Sequence, residues 1–584
     1  MVTYIPPKQA GKYKAVASGA ITNGKPVIVN STGTVSGISG SAASTGTAVV
    51  FATASTGAAS AAFDSNSNKV VIVFTDSGNS NYGTAVVGDV SGTSISFGSE
   101  VVYESGNHFY EDVTFDSNSN RIVIAYADGS NSNYGTAVVG TVSGTSISFG
   151  TPVVFESAYP EESQITFDSN SNKVVIAYSD QGNSAHGTAI VGTVDSSDNS
   201  ISFGTAVVFE AADSRNCGIT FDSNSNKVVI AYRDAGNSSY GTAIVGTVSG
   251  TSISFGTPAV FGSYTSQHNR PRFNSNDNTI VISHTNNGAS AGSVIVGSVS
   301  GTSIGSFGTA VNYETSTPSD PRATFDTSRN QIVIAYRDQD DSKGKFIVGN
   351  VSGNSVTLED AIIYEAGAPN TPGITFDSNS NKVVVGYADG GDSNKGKAVV
   401  FNGSDLNLTS ENYIGLSNAC SFHGATETYT VTVASGVFYL NGLANPPIQL
   451  LRGHTYIFDQ ADGTNDGHPF HFKDTGGSQY TSGVTVTGTA GTSGAKVTIV
   501  VPIDATEPSQ YYCTVHGNSM GNVITIEESF AEIDVVGTVN KHQSGLTAGQ
   551  TYYVQTDGTL GTSADSPSVV AGTAISATEI IVKG

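Results

Sequence analysis

The chain has 584 residues and a formal net charge of −24, with 68 glycines, no tryptophan, two methionines and only 13% charged residues. That length exceeds one ordinary hydrophobic core and implies three or four domains, while the wealth of Ser, Thr, Asn, Val and Gly favours short strands and tight turns over helices. The acid excess, without any basic stretch, excludes sequence-independent nucleic-acid binding, which needs clustered Lys and Arg to displace counterions from phosphates.

In chain order, the segment from Met1 to Lys8 lacks the basic start and apolar stretch of a secretory leader, and no run reaches the roughly 18 apolar residues of a membrane span. The expectation is a chain without signal peptide or membrane insertion, made soluble in a cytoplasm and released by specialised secretion or in a particle. Residues 1–40 read as a small N-terminal β module. Its stretch SGAITNGKPVIVNSTGTV, from Ser18 to Val35, is similar to SGLTAGQTYYVQTDGTL, from Ser544 to Leu560, with a one-residue gap. The two ends are therefore expected to be related modules for attachment or for assembly of a homo-oligomer.

Residues 41–424 are dominated by repetition. The phrase FDSNSN, complete or degenerate, begins at Phe63, Phe115, Phe167, Phe221, Phe273, Phe325 and Phe376, at spacings of 52, 52, 54, 52, 52 and 51 residues. Copies of about fifty residues with strand-like patterning suit propeller blades better than helical or leucine-rich repeats. The third copy divides into ITF, KVVIAYSD, GTAIVGTV and SISFGTAVVFE, four strands a to d separated by turns rich in Asn, Ser and Gly. A d-like strand at residues 46–54 precedes the first copy, and only a, b and c remain after the last. The sequence thus predicts a seven-bladed β-propeller whose N-terminal strand completes the final blade and removes the exposed edges.

In this arrangement the d–a connections emerge on one face as variable loops and present Tyr110, Tyr159, Arg215, His268, Arg270 and Arg272, the expected ligand-binding set on a rigid scaffold; neutral drift of surface loops is the competing explanation. The DSNSN segments lack the glycine and final bidentate carboxylate of a calcium loop, so they are expected to be hairpin turns that do not bind calcium. The acid ending each b strand (Asp76, Asp128, Asp180, Asp234, Asp338 and Asp389, with Asn286 in one copy) recurs too regularly for a catalytic pair and is expected to cap a turn. No catalytic ordering stands out, and the chain is expected not to be an enzyme.

Residues 425–529 follow a different pattern. His468 lies in GHPFHF, and 45 residues later YYCTVHGNSMG places Cys513, His516 and Met520 within one short stretch. Two imidazoles, a thiolate and a thioether form the ligand set preferred by copper, and His471 is an alternative to His468 as the first imidazole. Only two other cysteines occur, Cys217 and Cys420, so no disulfide framework is present. The segment resembles the cupredoxin family over about one hundred residues. That resemblance implies a Greek-key β-sandwich with His468, Cys513, His516 and Met520 as copper ligands; the alternative is a cupredoxin-shaped domain that does not load copper.

Residues 530–584 form the C-terminal β module. The stretches HPFHF, YTSGVTVTGTAGTSGAKVTI and YYCTVHGNSMG, together with SGLTAGQTYYVQTDGTL and SVVAGTAISATEIIVKG, resemble β modules of virion structural and fibre proteins of marine bacteriophages, particularly cyanophages. The resemblance implies a virion appendage or decoration protein (a tail fibre, head fibre or knob) that contacts other virion proteins through its terminal modules and presents the propeller to a host-surface glycan or protein. An extracellular adhesin or filament subunit is the second reading. A copper-dependent redox or polysaccharide-active protein is the third.

Overall fold

In the computed structural model, residues 12–583 are described apart from 19–20, 31, 42, 409–410, 421–425, 503–504, 529 and 566. Among the described residues every regular element is a β-strand or a short 3-10 turn. The chain separates into two units, Ala43–Ser404 and a second formed by Met1–Ala42 with Asp405–Gly584.

In the first unit, the third repeat shows how the local sequence works. Pro160–Asp168 pairs antiparallel with Lys173–Asp180, which pairs with His186–Asp195. Val174, Val175, Ile176, Ala177 and Tyr178 are all fully buried, as expected for a continuous apolar run bounded by turns. The turns close as their sequences dictate. Asp168 Oδ1 accepts hydrogen bonds from the Asn170 and Ser171 amides at 2.9 and 3.0 Å, and Asp180 Oδ1 accepts from the Gly182 amide at 2.9 Å. Both repeated acids therefore bind their own turns.

The outermost strand differs from its sequence-based expectation. SISFGTAVVFE is broken into Ser200–Phe203 and a second strand starting at Val207, both on the edge of His186–Asp195. Gly204 sits at the break, and a Cβ there would lie 1.8 Å from the Thr251 carbonyl oxygen in the next repeat's hairpin. The equivalent Gly98 and Gly256 meet Thr145 and Thr302 in the same way. The chain bends because it closes on its neighbour's backbone.

The a-b-c strand triple occurs seven times among the described residues, beginning in the strands that contain Phe63, Phe115, Phe167, Phe221, Phe273, Phe325 and Phe376. Seven hydrophobic clusters each draw on two successive repeats. One joins the last repeat to the first, through Val384 and Val400 against Phe51, Val70 and Ile72. Ser44–Thr45 and the start of Val49–Asp64 hydrogen-bond to Lys395–Asn402, and the innermost strands neighbour one another around a closed circuit.

In the second unit, Lys12–Val16, Pro26–Val29 and Val35–Gly37 share a five-stranded sheet with Tyr413–Cys420 and Phe530–Asp534. Tyr413–Cys420 thus pairs with strands of the terminal segments and not with the repeats. Residues up to 424 do not all belong with the repeats, because Lys395–Asn402 already has its free edge filled by Ser44–Thr45 and Val49–Asp64. Likewise, Phe530–Asp534 pairs with the N-terminal Lys12–Val16. The terminal segments also share a core of Ile28, Leu408, Val554, Val569 and Ala571. Between them, residues 426–527 form several small sheets around Phe438, Phe458, Phe470, Phe472, Tyr511 and Met520.

Candidate functional site

The d–a connections, expected to be loops, are mostly strand. Val207–Asp222 and Ala259–Asn274 each run unbroken for 16 residues from the outer edge of one repeat to the centre of the next. Each innermost strand carries a register shift against its neighbour, as between Phe109 and Asp112. At this bulge Tyr110, Glu162, Asn216, His268 and Asp320 adopt positive φ of 54°, 56°, 54°, 50° and 47°. One backbone irregularity, recurring with positive φ in five successive repeats, turns a different side chain from each toward a common cavity.

These residues line a cavity of about 370 Å³ with Phe109, Glu111, Arg270 and Arg322. A second cavity of about 440 Å³ shares Glu111, Gln164 and Arg322 with it and is lined further by Asp112, Arg272, threonines and apolar residues such as Phe63, Phe115 and Ile165. Of the six predicted ligand residues, Tyr110 and His268 sit at the first cavity and Arg270 beneath them, while Arg272 lines the second. Arg270 is only 7% exposed, and its Nη1 donates to the Cys217 carbonyl at 3.1 Å. Arg272 donates through Nε to the Ala323 carbonyl at 2.7 Å. The two arginines thus lie on an inner strand and not on a surface loop, because the connection continues straight into that strand.

Tyr159 lies beside the first cavity, its ring 5.8 Å from Tyr110 and 6.4 Å from Phe109. Phe109 and Tyr110 are 39% and 37% exposed, so the three rings form a solvent-facing aromatic platform. Arg215 stands outside the cavity lining, its Nε bound to Asp213 at 2.9 Å and its Nη1 to Glu161 at 3.1 Å. Sequence reasoning missed Glu111, Glu162, Asp320 and Arg322, whose only signal is their position at or beside the bulge in successive repeats.

Charge is concentrated here in an otherwise acidic, arginine-poor chain. Burial pushes the Glu111 carboxyl up to about 8 and holds His108, 3.6 Å away, down at about 4. Burial, with the Arg322 charge, lowers His268 to about 4. Asp112 is held by the Ser60 hydroxyl at 2.7 Å and the Ile165 amide at 3.0 Å, and Glu162 accepts from the Asn216 amide. By contrast, Glu111 Oε1, Arg270 Nε and Arg322 Nη1 are buried without a partner among the described residues. Cys217 also lines the first cavity, and burial pushes its thiol up to about 12. The arrangement is suited to holding a polar ligand.

The other constellation is in the second unit. One ligand atom each from His468, Cys513 and His516 lies within 4.8 Å of the others. Cys513 ends the strand Gln510–Cys513, and the following turn brings the His516 amide and Nδ1 to 3.4 and 3.5 Å from its sulfur. The His468 and His516 ring centroids are 4.5 Å apart, and His468 Nδ1 has no hydrogen-bond partner. Met520 is 2% exposed and belongs to the same core cluster as Cys513. His471 is excluded from the group, since strand alternation turns it aside and its Nδ1 lies 2.9 Å from Gln479 Nε2. The donor set fits a soft or borderline transition metal such as copper, which would supply one-electron exchange when bound.

No protein-family model matches the chain, and no curated protein is similar in sequence. Its fold is similar to that of several solved structures, all at low identity. The BP39L lectin from Burkholderia pseudomallei has 11% identity and a TM-score of 0.44, covering 61% of this chain and 99% of its own. The Dos1 propeller has 13% identity and a TM-score of 0.40, covering 62% and 95%. The Cps50 (Swd1) β-propeller domain from Myceliophteria thermophila has 8% identity and a TM-score of 0.41, covering 61% and 98%. The chain is all-β and has β-propeller folds among its structural neighbours.

Proposed function

We propose that the chain is a binding protein and not an enzyme: a virion appendage or decoration protein in which residues 43–404 form a seven-bladed β-propeller that engages a host-surface glycan. The observation that carries the binding reading is the platform of Phe109, Tyr110 and Tyr159 beside a polar cavity of about 370 Å³. Exposed aromatic faces next to directed hydrogen-bonding groups suit the alternating apolar and hydroxyl surfaces of a sugar. The propeller reading is supported by the seven strand triples and the clusters shared between them. The virion setting is supported by the resemblance of the terminal and central stretches to phage modules.

The setting is tested by mass spectrometry of purified particles together with immunogold labelling of the propeller. Label at a fixed position on the particle is expected. Absence from particles, with signal on cell-surface fibres, would overturn the virion reading in favour of an extracellular adhesin.

A second function is favoured by the His468, Cys513 and His516 cluster. Residues 426–527 are proposed to form a cupredoxin-like sandwich in which these three side chains and Met520 hold copper.

A further inference from the structure

The two cavities meet at Glu111, Gln164 and Arg322, and the polar groups at this junction are unequally satisfied. Asp112 and Glu162 already accept hydrogen bonds from the Ile165 and Asn216 amides. Arg322 Nη1 and Arg270 Nε have donors without acceptors, and Glu111 Oε1 is likewise unpartnered. Arg270 and Glu111 are each only 7% exposed, so their unsatisfied atoms do not face open solvent. Those atoms are themselves closed to a ligand, but the half-buried Arg322 side chain lines both cavities and makes no hydrogen bond to a described residue, and leaving a guanidinium unpaired costs free energy that an anionic ligand recovers.

The missing partner is an acceptor. Two guanidinium donors ask for oxygens carrying negative charge. Burial pushes the Glu111 carboxyl up to about 8, so it opposes an incoming carboxylate less than an ordinary glutamate would. A dianionic phosphate fits poorly because Glu162 and Asp320 line the first cavity and Asp112 the second; a single carboxylate suits the charge better. The first cavity, about 370 Å³ in volume, accommodates one sugar unit, with the aromatic platform at its edge.

We propose that the first cavity, where it meets the second, is a carboxylate-reading subsite, in which Arg322 and the neighbouring Arg270 bind the acid group of a uronic-acid residue while Tyr110 packs on its ring. This rests on the glycan-binding reading and names the class of glycan.

The test is calorimetric titration of the full chain with oligogalacturonate, its fully methyl-esterified form, and a neutral glucan of equal length. Binding of the acidic oligomer at least tenfold tighter than the other two is expected, with Arg322→Gln removing that preference. Because a buried arginine variant can fail to fold, the exposed-site variant Tyr110→Ala is measured alongside it, and a tenfold loss for the acidic oligomer is expected. Equal binding of acidic and esterified oligomers would overturn the carboxylate subsite and leave glycan binding intact. Failure to bind any of the three, in a chain that binds other saccharides, would overturn the uronate class. Binding no saccharide at all would overturn both readings.

Discussion

Tyr178 shows how a single residue ties two repeats together. Its hydroxyl donates to Glu156 at 3.0 Å, and the same bond joins Tyr126 to Glu104, Tyr232 to Glu210, Tyr336 to Glu314 and Tyr387 to Glu365, at 2.8 to 3.2 Å. Each glutamate ends an outer strand and each tyrosine lies in the b strand of the following repeat. Where the tyrosine is Phe74, position 52 is alanine; where it is His284, position 262 is glycine and Tyr264 supplies a hydroxyl to His284 at 2.7 Å. Partners thus change together, as pairing of buried polar groups demands. Tyr178→Phe is expected to cost about 1 kcal/mol, read by chemical denaturation of the full chain, with little further loss when Glu156→Gln is added.

The buried ionisable groups set the pH response at the same scale. His108, His268 and His284 are each held at about 4 by burial, whereas an unfolded histidine titrates near ~6.5. Their neutral forms favour the fold above that value, and this contribution is lost as pH falls from about 6.5 toward 4. Glu111, raised to about 8, acts in the opposite sense: its contribution is present at low pH and lost as pH rises through 8. Relative to the parent, Glu111→Gln is expected to gain melting temperature progressively between about pH 4.5 and 8 and to run parallel to it above pH 8, while leaving the acid limb in place.

Among the elements, the strands were legible from short apolar runs bounded by turns, and the turns from Asp, Asn and Gly. The similarity of the two ends also has a structural counterpart. Gly33 and Gly558 donate to the Asn30 and Gln555 carbonyls at 2.9 and 3.0 Å, with φ of 82° and 74°. The break at Gly204 was not legible, because its cause is the Thr251 carbonyl of the next repeat. Gly204→Ala is expected to destabilise the fold by roughly 1–3 kcal/mol through forced displacement of that hairpin, again read by denaturation. In the metal candidate, spacing suggested the ligand set, and strand geometry distinguished His468 from His471. Titration of the full chain with Cu(II) is expected to produce a visible thiolate-to-copper absorption that Cys513→Ser abolishes and His471→Ala leaves in place. Absence of the band in the wild-type chain would refute copper loading.

Across the whole molecule, repetition of about fifty residues disclosed the number and order of the strand triples, and the orphan d-like strand indicated how the last could be completed. Less visible was the reuse of Tyr413–Cys420 and Phe530–Asp534 with the N-terminal strands, since pairing across hundreds of residues leaves no local pattern. The cavity site was only half legible for the same reason. Tyr110, His268, Arg270 and Arg272 stood out as unusual residues among small ones, whereas Glu111 and Arg322, 211 residues apart in sequence, acquire meaning only when the inner strands converge.

Saccharide binding at the cavity face is measured most directly with the full chain on an array of bacterial surface polysaccharides, with Tyr110→Ala/Tyr159→Ala as the matched variant. Binding at this face predicts a saccharide signal that falls at least tenfold in the double variant while its melting temperature stays close to that of the parent. Equal binding by the two proteins, or no binding by either, would contradict it.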